Sequence, residues 1–249
     1  MRILAEGLFA EDAVELRYDP AAWSASYDAG RAAAISEAWA RAEAKAAATG
    51  GLLYNGPAFR LGGFEAPPGR LVLRFGDTDY RDFVGTRDLP EGPYACPVGA
   101  PALVVTSDGL IPLGRRAPHL EYNPGTLFCF GGMIDREADW RDGRPDLWGC
   151  VQRELEEELG LPAERAAIRC LGLLGDERGA RAVAPCVVRL EADRHAVEGA
   201  GWREELSDLF FIPLDGIAAF RERHDVDSAP SLRLTLELAE RRALGWLRG

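Results

Sequence analysis

The segment from Asp146 to Leu161, DLWGCVQRELEEELGL, leaves the chain little choice of local structure. Asp146 is of the kind that caps a helix N-terminus, and Gly160 of the kind that ends one. At 100° per residue, Trp148, Val151, Leu155 and Leu159 fall on one apolar stripe, so this helix must lie against a hydrophobic layer. Glu154, Glu157 and Glu158 then share a neighbouring face, while Glu156 points away into solvent. Like charges at this spacing repel by about 0.2–0.5 kcal/mol per pair. Either the acidic edge is simply solvated, or a cation sits there and reverses the sign of the electrostatics. A hard divalent cation takes oxygen ligands of this kind, with waters and phosphate oxygens completing its octahedron. Arg153 puts a fixed positive charge on the flank of the cluster and can orient one of the acids. Upstream, Gly131-Gly132 end a strand-like run, and a glycine pair lets a backbone carbonyl come close to a metal or a phosphate.

Around this helix the chain divides at the Pro- and Gly-rich stretch LPEGPYACPVGAP (89–101), which predicts a boundary between residues 1–95 and 96–249. In the first part, RAAAISEAWARAEAKAAA (31–48) reads as a helix burying Ile35, Trp39 and Ala42, stopped by TGG (49–51). AFRLGGFE and RLVLRFG read as a hairpin-like strand pair, and DTDYRDFVGTRD (77–88) as a short helix capped by Asp77 or Thr78. In the second part, PALVVTSDGLIPLGRR reads as a hairpin turning at Asp108-Gly109, and GTLFCFGG as a strand ending in the glycine pair. AAIRCLGLLG, ARAVAPCVVRLEA and LFFIPL are further strands, and the last 22 residues form an amphipathic helix. A mixed sheet with a helix on each face is the expected α/β product.

Composition narrows the function. A net charge of −11 and a pI near 4.9 exclude gripping nucleic acid by bulk charge. Cys96, Cys129, Cys150, Cys170 and Cys186 contain no Cys-x-x-Cys pair and read as reduced thiols. Packing beside the site is enough to account for Cys150. His119, His195 and His224 show no ligand spacing. No stretch reaches the ~18 apolar residues of a membrane span, so a soluble, cytoplasmic protein without membrane or nucleic-acid partners is expected.

RELEEELGL resembles, at every position, the end of the Nudix box, and FGG (130–132) resembles the glycine pair that opens it. Membership of that family implies an α/β/α sandwich with a mixed sheet, here with a smaller N-terminal α+β region that could contribute to substrate binding. It implies hydrolysis of a diphosphate linked to another group, with Mg²⁺ (or Mn²⁺) as cofactor. It assigns Arg153, Glu154, Glu157 and Glu158 to catalysis, and the three glutamates with Gly132 to the metal. One feature departs from the family: its loop glutamate would fall at position 145, which is Pro145, and the segment MIDREADWRDGRPD is longer than the family's loop. Asp146 is adjacent, but its place before the helix predicts an N-cap. An acid from a later loop can also activate water in this family, and Glu177, in GDERGAR, is the candidate here.

The N-terminal third adds a narrower resemblance. LLYNGPAFRLGGF, LVLRFGDTDYRDFVGTR and GRRAPHLEYNPGTLFCFGG are similar to successive segments of the UDP-glucose/UDP-galactose diphosphatase type within that family. This implies a nucleotide sugar as the small-molecule partner, with UMP and a hexose 1-phosphate as products. Tyr80 could stack on a base, and Arg81, Arg87, Arg115 and Arg116 could hold phosphate or sugar oxygens. Each also has an ordinary structural alternative, as a core aromatic or a surface ion pair. An ADP-ribose or ADP-sugar diphosphatase, and a catalytically weak nucleotide-binding member of the fold, remain as alternatives.

Overall fold

The structure is a computed structural model that describes residues 1–48, 51, 53–202 and 206–249. The N-terminal region contains β1 (Arg2–Phe9), β2 (Val14–Tyr18), α1 (Pro20–Trp23), α2 (Ala29–Ala48), β3 (Pro57–Glu65), β4 (Leu71–Asp79) and α3 (Tyr80–Thr86). It is followed by β5 (Val98–Gly99), β6 (Ala102–Val105), β7 (Leu110–Arg116), β8 (Leu127–Phe128), β9 (Trp140–Arg141), β10 (Arg144–Pro145) and α4 (Leu147–Leu159). The chain ends with β11 (Ile168–Gly175), β12 (Ala182–Val183), β13 (Cys186–Arg189), α5 (Arg194–Glu198), β14 (Leu206–Pro213), α6 (Ile217–Arg223), α7 (Pro230–Arg242) and α8 (Leu244–Leu247).

Why the central strands are apolar on both faces follows from what covers them. Side chains alternate across a strand. On β6, Ala102 and Val104 enter one core layer and Leu103 and Val105 the other. Cys186 and Val188 of β13 take the first layer, and Val187 the second. The first layer is closed by α4 through Trp148, Val151, Leu155 and Leu159, all buried, and the second by α7 through Leu232, Leu236 and Ala239. The result is the α/β/α sandwich, in which truncating a residue such as Leu155 to Ala would cost about 2–5 kcal/mol.

The sheet itself is mixed. β11 pairs antiparallel with β1, β12 and β13, while β12 and β13 pair in parallel with β5 and β6. A second sheet has the order β14-β7-β8, and a third, β2-β4-β3, is built from the N-terminal region. The expected strand pair at 57–79 is present as β3 and β4.

The structure departs from several sequence expectations. The stretch 89–101, expected to divide residues 1–95 from 96–249, is packed: Tyr94 to Val98 are buried, and Leu16, Phe59, Leu71, Leu73 and Phe75 share a core layer with α4. β1 also leaves the N-terminal part to join β11, because its apolar residues bury better against that strand than in water. The turn at Asp108-Gly109 forms, with Gly109 N donating to Thr106 O at 2.9 Å. The strands it joins, however, diverge into different sheets. Asp79, not Asp77 or Thr78, precedes α3, because pairing with Ala58 and Phe59 holds residues 77 and 78 extended in β4. GTLFCFGG forms only the two-residue β8 and then isolated bridges.

Of the proposed α2 face, Ile35 is buried while Trp39 and Ala42 are half-buried. The stop at 49–51 lies mostly outside the described residues. No helix among the described residues is long and apolar enough to cross a membrane.

Candidate active site

α4 begins and ends as its sequence requires. Asp146 Oδ1 accepts from Gly149 N at 3.0 Å, and Gly160 closes the helix at φ 61°. With the apolar stripe fixed against the sheet, the acidic edge faces the segment after β8, which carries the glycine pair. A Cβ on Gly132 would collide with the Glu154 carboxylate, and one on Gly131, at φ 111°, with the Ala100 carbonyl. Gly131 N donates to Glu158 Oε2 at 2.9 Å. The Gly132 carbonyl accepts from Ala100 N at 2.8 Å, and the missing Cβ leaves room for Glu154.

Arg153 organises the acids. Its Nε and Nη2 donate to the two oxygens of Asp139 at 3.0 Å each. Its Nη1 lies 2.9 Å from both Glu154 Oε1 and Glu157 Oε2. Asp139 is only 2% exposed and sits in the lengthened loop, where its Oδ2 also accepts from Asp135 N at 2.7 Å. Glu156 is exposed, as its helical phase requires. Burial pushes the Glu154 carboxyl up to about 7; Arg153 pulls it back, and the charges of Glu157 and Asp139 add to the rise. A further cation beside that carboxyl would favour its ionised form.

As the side chains stand, no three acidic, His or Cys groups among the described residues converge on one point. The donor set nevertheless fits a hard divalent ion. Glu154 and Glu157 already share one positive charge, the Arg153 guanidinium, and all the available donors are carboxylate oxygens. Cys150 is fully buried, with Sγ 3.6 Å from the Met133 carbonyl, and packs behind the site.

Glu154 and Glu157 stand at the junction of two hollows. The larger, about 500 Å³, is walled by Tyr80, Phe83, Tyr122 and Phe128 and carries Arg116 and Arg181. The smaller, about 220 Å³, is bounded by Phe130, Glu158 and Trp202. The two hollows place a carboxylate pair beside an aromatic, cationic cleft of the size a nucleotide needs.

The substrate residues expected from the sequence divide. Tyr80 lines the cleft, with its hydroxyl donating to Glu121 Oε2 at 2.6 Å. Arg116 lines it too, its Nε donating to the Tyr122 carbonyl at 3.0 Å and its guanidinium 5.4 Å from the Phe128 ring centre. Arg87 is outside the cleft wall: both its Nη atoms bind Glu121, and its guanidinium lies 5.3 Å from the Phe83 ring centre. Arg81 ties α3 to α2 through the Ser36 hydroxyl at 2.5 Å, and Arg115 binds the Gly125 carbonyl at 2.7 Å. Neither of these side chains reaches the cleft wall. Asp146, besides capping α4, makes a two-pronged ion pair with Arg165 at 2.6 and 2.8 Å. Glu177 is exposed in the turn between β11 and β12. Asp139 and Arg181 carry no local signal. One lies in an aperiodic loop, and the other precedes a two-residue strand.

No family model matches the chain. It is 26% identical over 210 residues to the human uridine diphosphate glucose pyrophosphatase NUDT22, covering 68% of this chain and 69% of that protein. With the mouse protein of the same name the identity is 26% over 142 residues, 44% of this chain and 46% of the other. A solved Nudix hydrolase from Alicyclobacillus acidocaldarius superposes with a TM-score of 0.47 at 13% identity, over 64% of this chain and 98% of that one. The box residues meet on α4 as their spacing requires, and the similarity to the curated relatives extends well beyond them. On the box residues of α4 and on these relatives, the chain is similar to the Nudix hydrolases.

Proposed function

We propose that the chain hydrolyses the diphosphate of a nucleoside diphosphate sugar, with UDP-glucose or UDP-galactose giving UMP and a hexose 1-phosphate. The observation that carries this reading is the Glu154–Glu157 pair, bridged by Arg153, opening directly into an aromatic cleft with two arginines on its wall. The human and mouse relatives, named for UDP-glucose, support the choice of base.

The residues divide the work. Glu154, Glu157 and Glu158 would hold a divalent cation, Mg²⁺ or Mn²⁺, which supplies Lewis-acid neutralisation of the diphosphate oxygens. Asp139 fixes the Arg153 guanidinium, and Arg153 in turn fixes the side chains of Glu154 and Glu157. The glycine pair keeps side chains out of the space beside Glu154. The aromatic wall offers faces for a base, and positioning of this kind is most of what phosphoryl transfer asks of a protein.

Incubation with Mg²⁺ and a panel of nucleotide sugars, followed by product identification, tests the reading. UMP released from UDP-hexoses while ADP-ribose stays intact supports it. Hydrolysis of ADP-ribose with UDP-hexoses untouched replaces it with the ADP-ribose diphosphatase alternative.

A further inference from the structure

Arginines in and around the cleft are nearly all engaged. Arg87 is held by Glu121, and Arg153 by Asp139, Glu154 and Glu157. Arg181 differs. Its guanidinium lies 5.2 Å from the Tyr122 ring centre, inside the cleft wall, and no carboxylate among the described residues pairs with it. Its surroundings make the charge costly: burial, and then the like charge of Arg87, lower its pKa. A half-buried cation without a counter-ion is a stability loss that an anionic ligand would reverse.

Its location joins it to the acidic end. Arg181 immediately precedes β12, whose Ala182 and Val183 pair in parallel with Val98 and Gly99. Gly99 in turn bridges Met133, the residue after the glycine pair. Arg181 thus leads into the strand beside the one that bridges Met133. Stacking on Tyr122 uses the face of the guanidinium, and no hydrogen bond from its N–H groups is made among the described residues. That leaves a planar fork of donors, the geometry that suits phosphate oxygens.

We infer that Arg181 receives the phosphate oxygens of a nucleoside diphosphate in the cleft and so sets the preference for charged over uncharged ligands. The inference rests on the nucleotide reading above. It gives the negatively charged ligand a positive contact of its own, at a site otherwise bordered by carboxylates. The alternative role, packing against Tyr122 alone, predicts a loss of stability without a change in charge discrimination.

The test titrates UDP, ADP and uridine, with Mg²⁺ present, into the full chain and its Arg181→Gln variant. Arg181→Gln is expected to weaken UDP binding about tenfold or more while leaving uridine binding within about twofold. In turnover, KM for UDP-glucose should rise while kcat stays within about threefold, the pattern of a binding contact. A second measurement needs no variant: UDP, but not uridine, should shield Arg181 from the arginine reagent phenylglyoxal, read by peptide mass spectrometry. Equal UDP affinity in the two proteins, equal losses of UDP and uridine, or no shielding by UDP each overturn the inference. Binding of neither UDP nor ADP by the wild-type chain overturns the functional reading and this inference together. ADP binding in place of UDP, still lost in Arg181→Gln, corrects the base and leaves Arg181 in its role.

Discussion

Two charge clusters bordering the cleft, one behind Tyr80 (the far end) and one at the glutamates (the near end), use charge in opposite ways. At the far end, the Tyr80 hydroxyl and the Arg87 guanidinium both bind Glu121, so an aromatic, a cation and an anion satisfy one another within the protein. At the near end, one arginine serves four acidic oxygens across Asp139, Glu154 and Glu157, and burial still pushes Glu154 up to about 7. The far end is a closed structural unit, and the near end is short of positive charge. Residue type does not separate the two, since Tyr80 and Arg87 look as much like ligand contacts as anything in the chain. What separates them is whether the partners are already in place.

The sharpest way to break this comparison is at the near end. Glu157→Gln and Glu158→Gln should each lower kcat by about a hundredfold or more with the fold intact, as removal of charge stabilisation usually does. Steady-state rates with circular dichroism check this, and Glu156→Gln, on the exposed side, should leave both unchanged. Asp139→Ala should be the most destabilising of the site changes. It leaves Arg153 half-buried without its two-pronged partner, at a cost of about 3 kcal/mol in urea unfolding. Were Asp139→Ala as stable as the parent, the buried pair would not be what anchors the acidic edge.

The far end should respond in the reverse sense. Arg87→Ala should cost about 1–3 kcal/mol of stability by stranding Glu121, while kcat/KM changes little. A large loss of kcat/KM in a stably folded Arg87→Ala chain would erase the distinction between the two ends.

Metal should sharpen it further. A cation that binds only the folded state raises the melting temperature, by the equivalent of about 2.7 kcal/mol at a hundred times its Kd. Millimolar Mg²⁺ or Mn²⁺ should therefore stabilise the chain, and UDP should add to this only when metal is present. Glu154→Gln should shrink the metal-dependent shift. Equal stabilisation by UDP with and without EDTA would place recognition away from the near end.

The smallest expected effect concerns Asp82, on α3, where burial and the charge of Asp79 push the carboxyl up from 3.8 to about 6. A carboxyl raised in the folded state opposes folding once it is ionised. The penalty is absent below the unfolded value, grows through the interval, and is complete above the folded value. Asp82→Asn should therefore melt about 2–4 °C above the parent at pH 7, the shift expected for roughly 1 kcal/mol once solvent screening reduces the full value of about 3 kcal/mol, with the difference closing towards pH 4. A difference independent of pH would remove the titration explanation.

α4 was legible in the sequence almost residue by residue: its two caps, its buried stripe, the acidic edge and the outward Glu156. Each is a local consequence of 3.6-residue periodicity and capping chemistry. The doubly covered strands were legible as strands for the same reason, being apolar on both faces. Partner choice was not. β6 and β7 are joined by the turn their sequence calls for and yet enter different sheets, because pairing depends on what distant segments offer. The stretch 89–101 looked like a domain boundary from its Pro and Gly, but Tyr94 to Val98 are core. Composition reports local backbone freedom and says nothing about burial.

The same division holds for the site. Sequence alone determined that three carboxylates and an arginine would share one helix face beside a glycine pair, since a helix fixes the relative directions of residues a few positions apart. Only the tertiary structure decided that Asp139 anchors Arg153 from within an irregular loop, and that Glu121 takes up Tyr80 and Arg87. It also decided that Arg181 lies in the cleft without a carboxylate partner. Those outcomes join residues 14, 34, 41 and 59 positions apart. Over such separations charge and hydrogen bonding depend on where the packed core brings the chain, which no local pattern encodes.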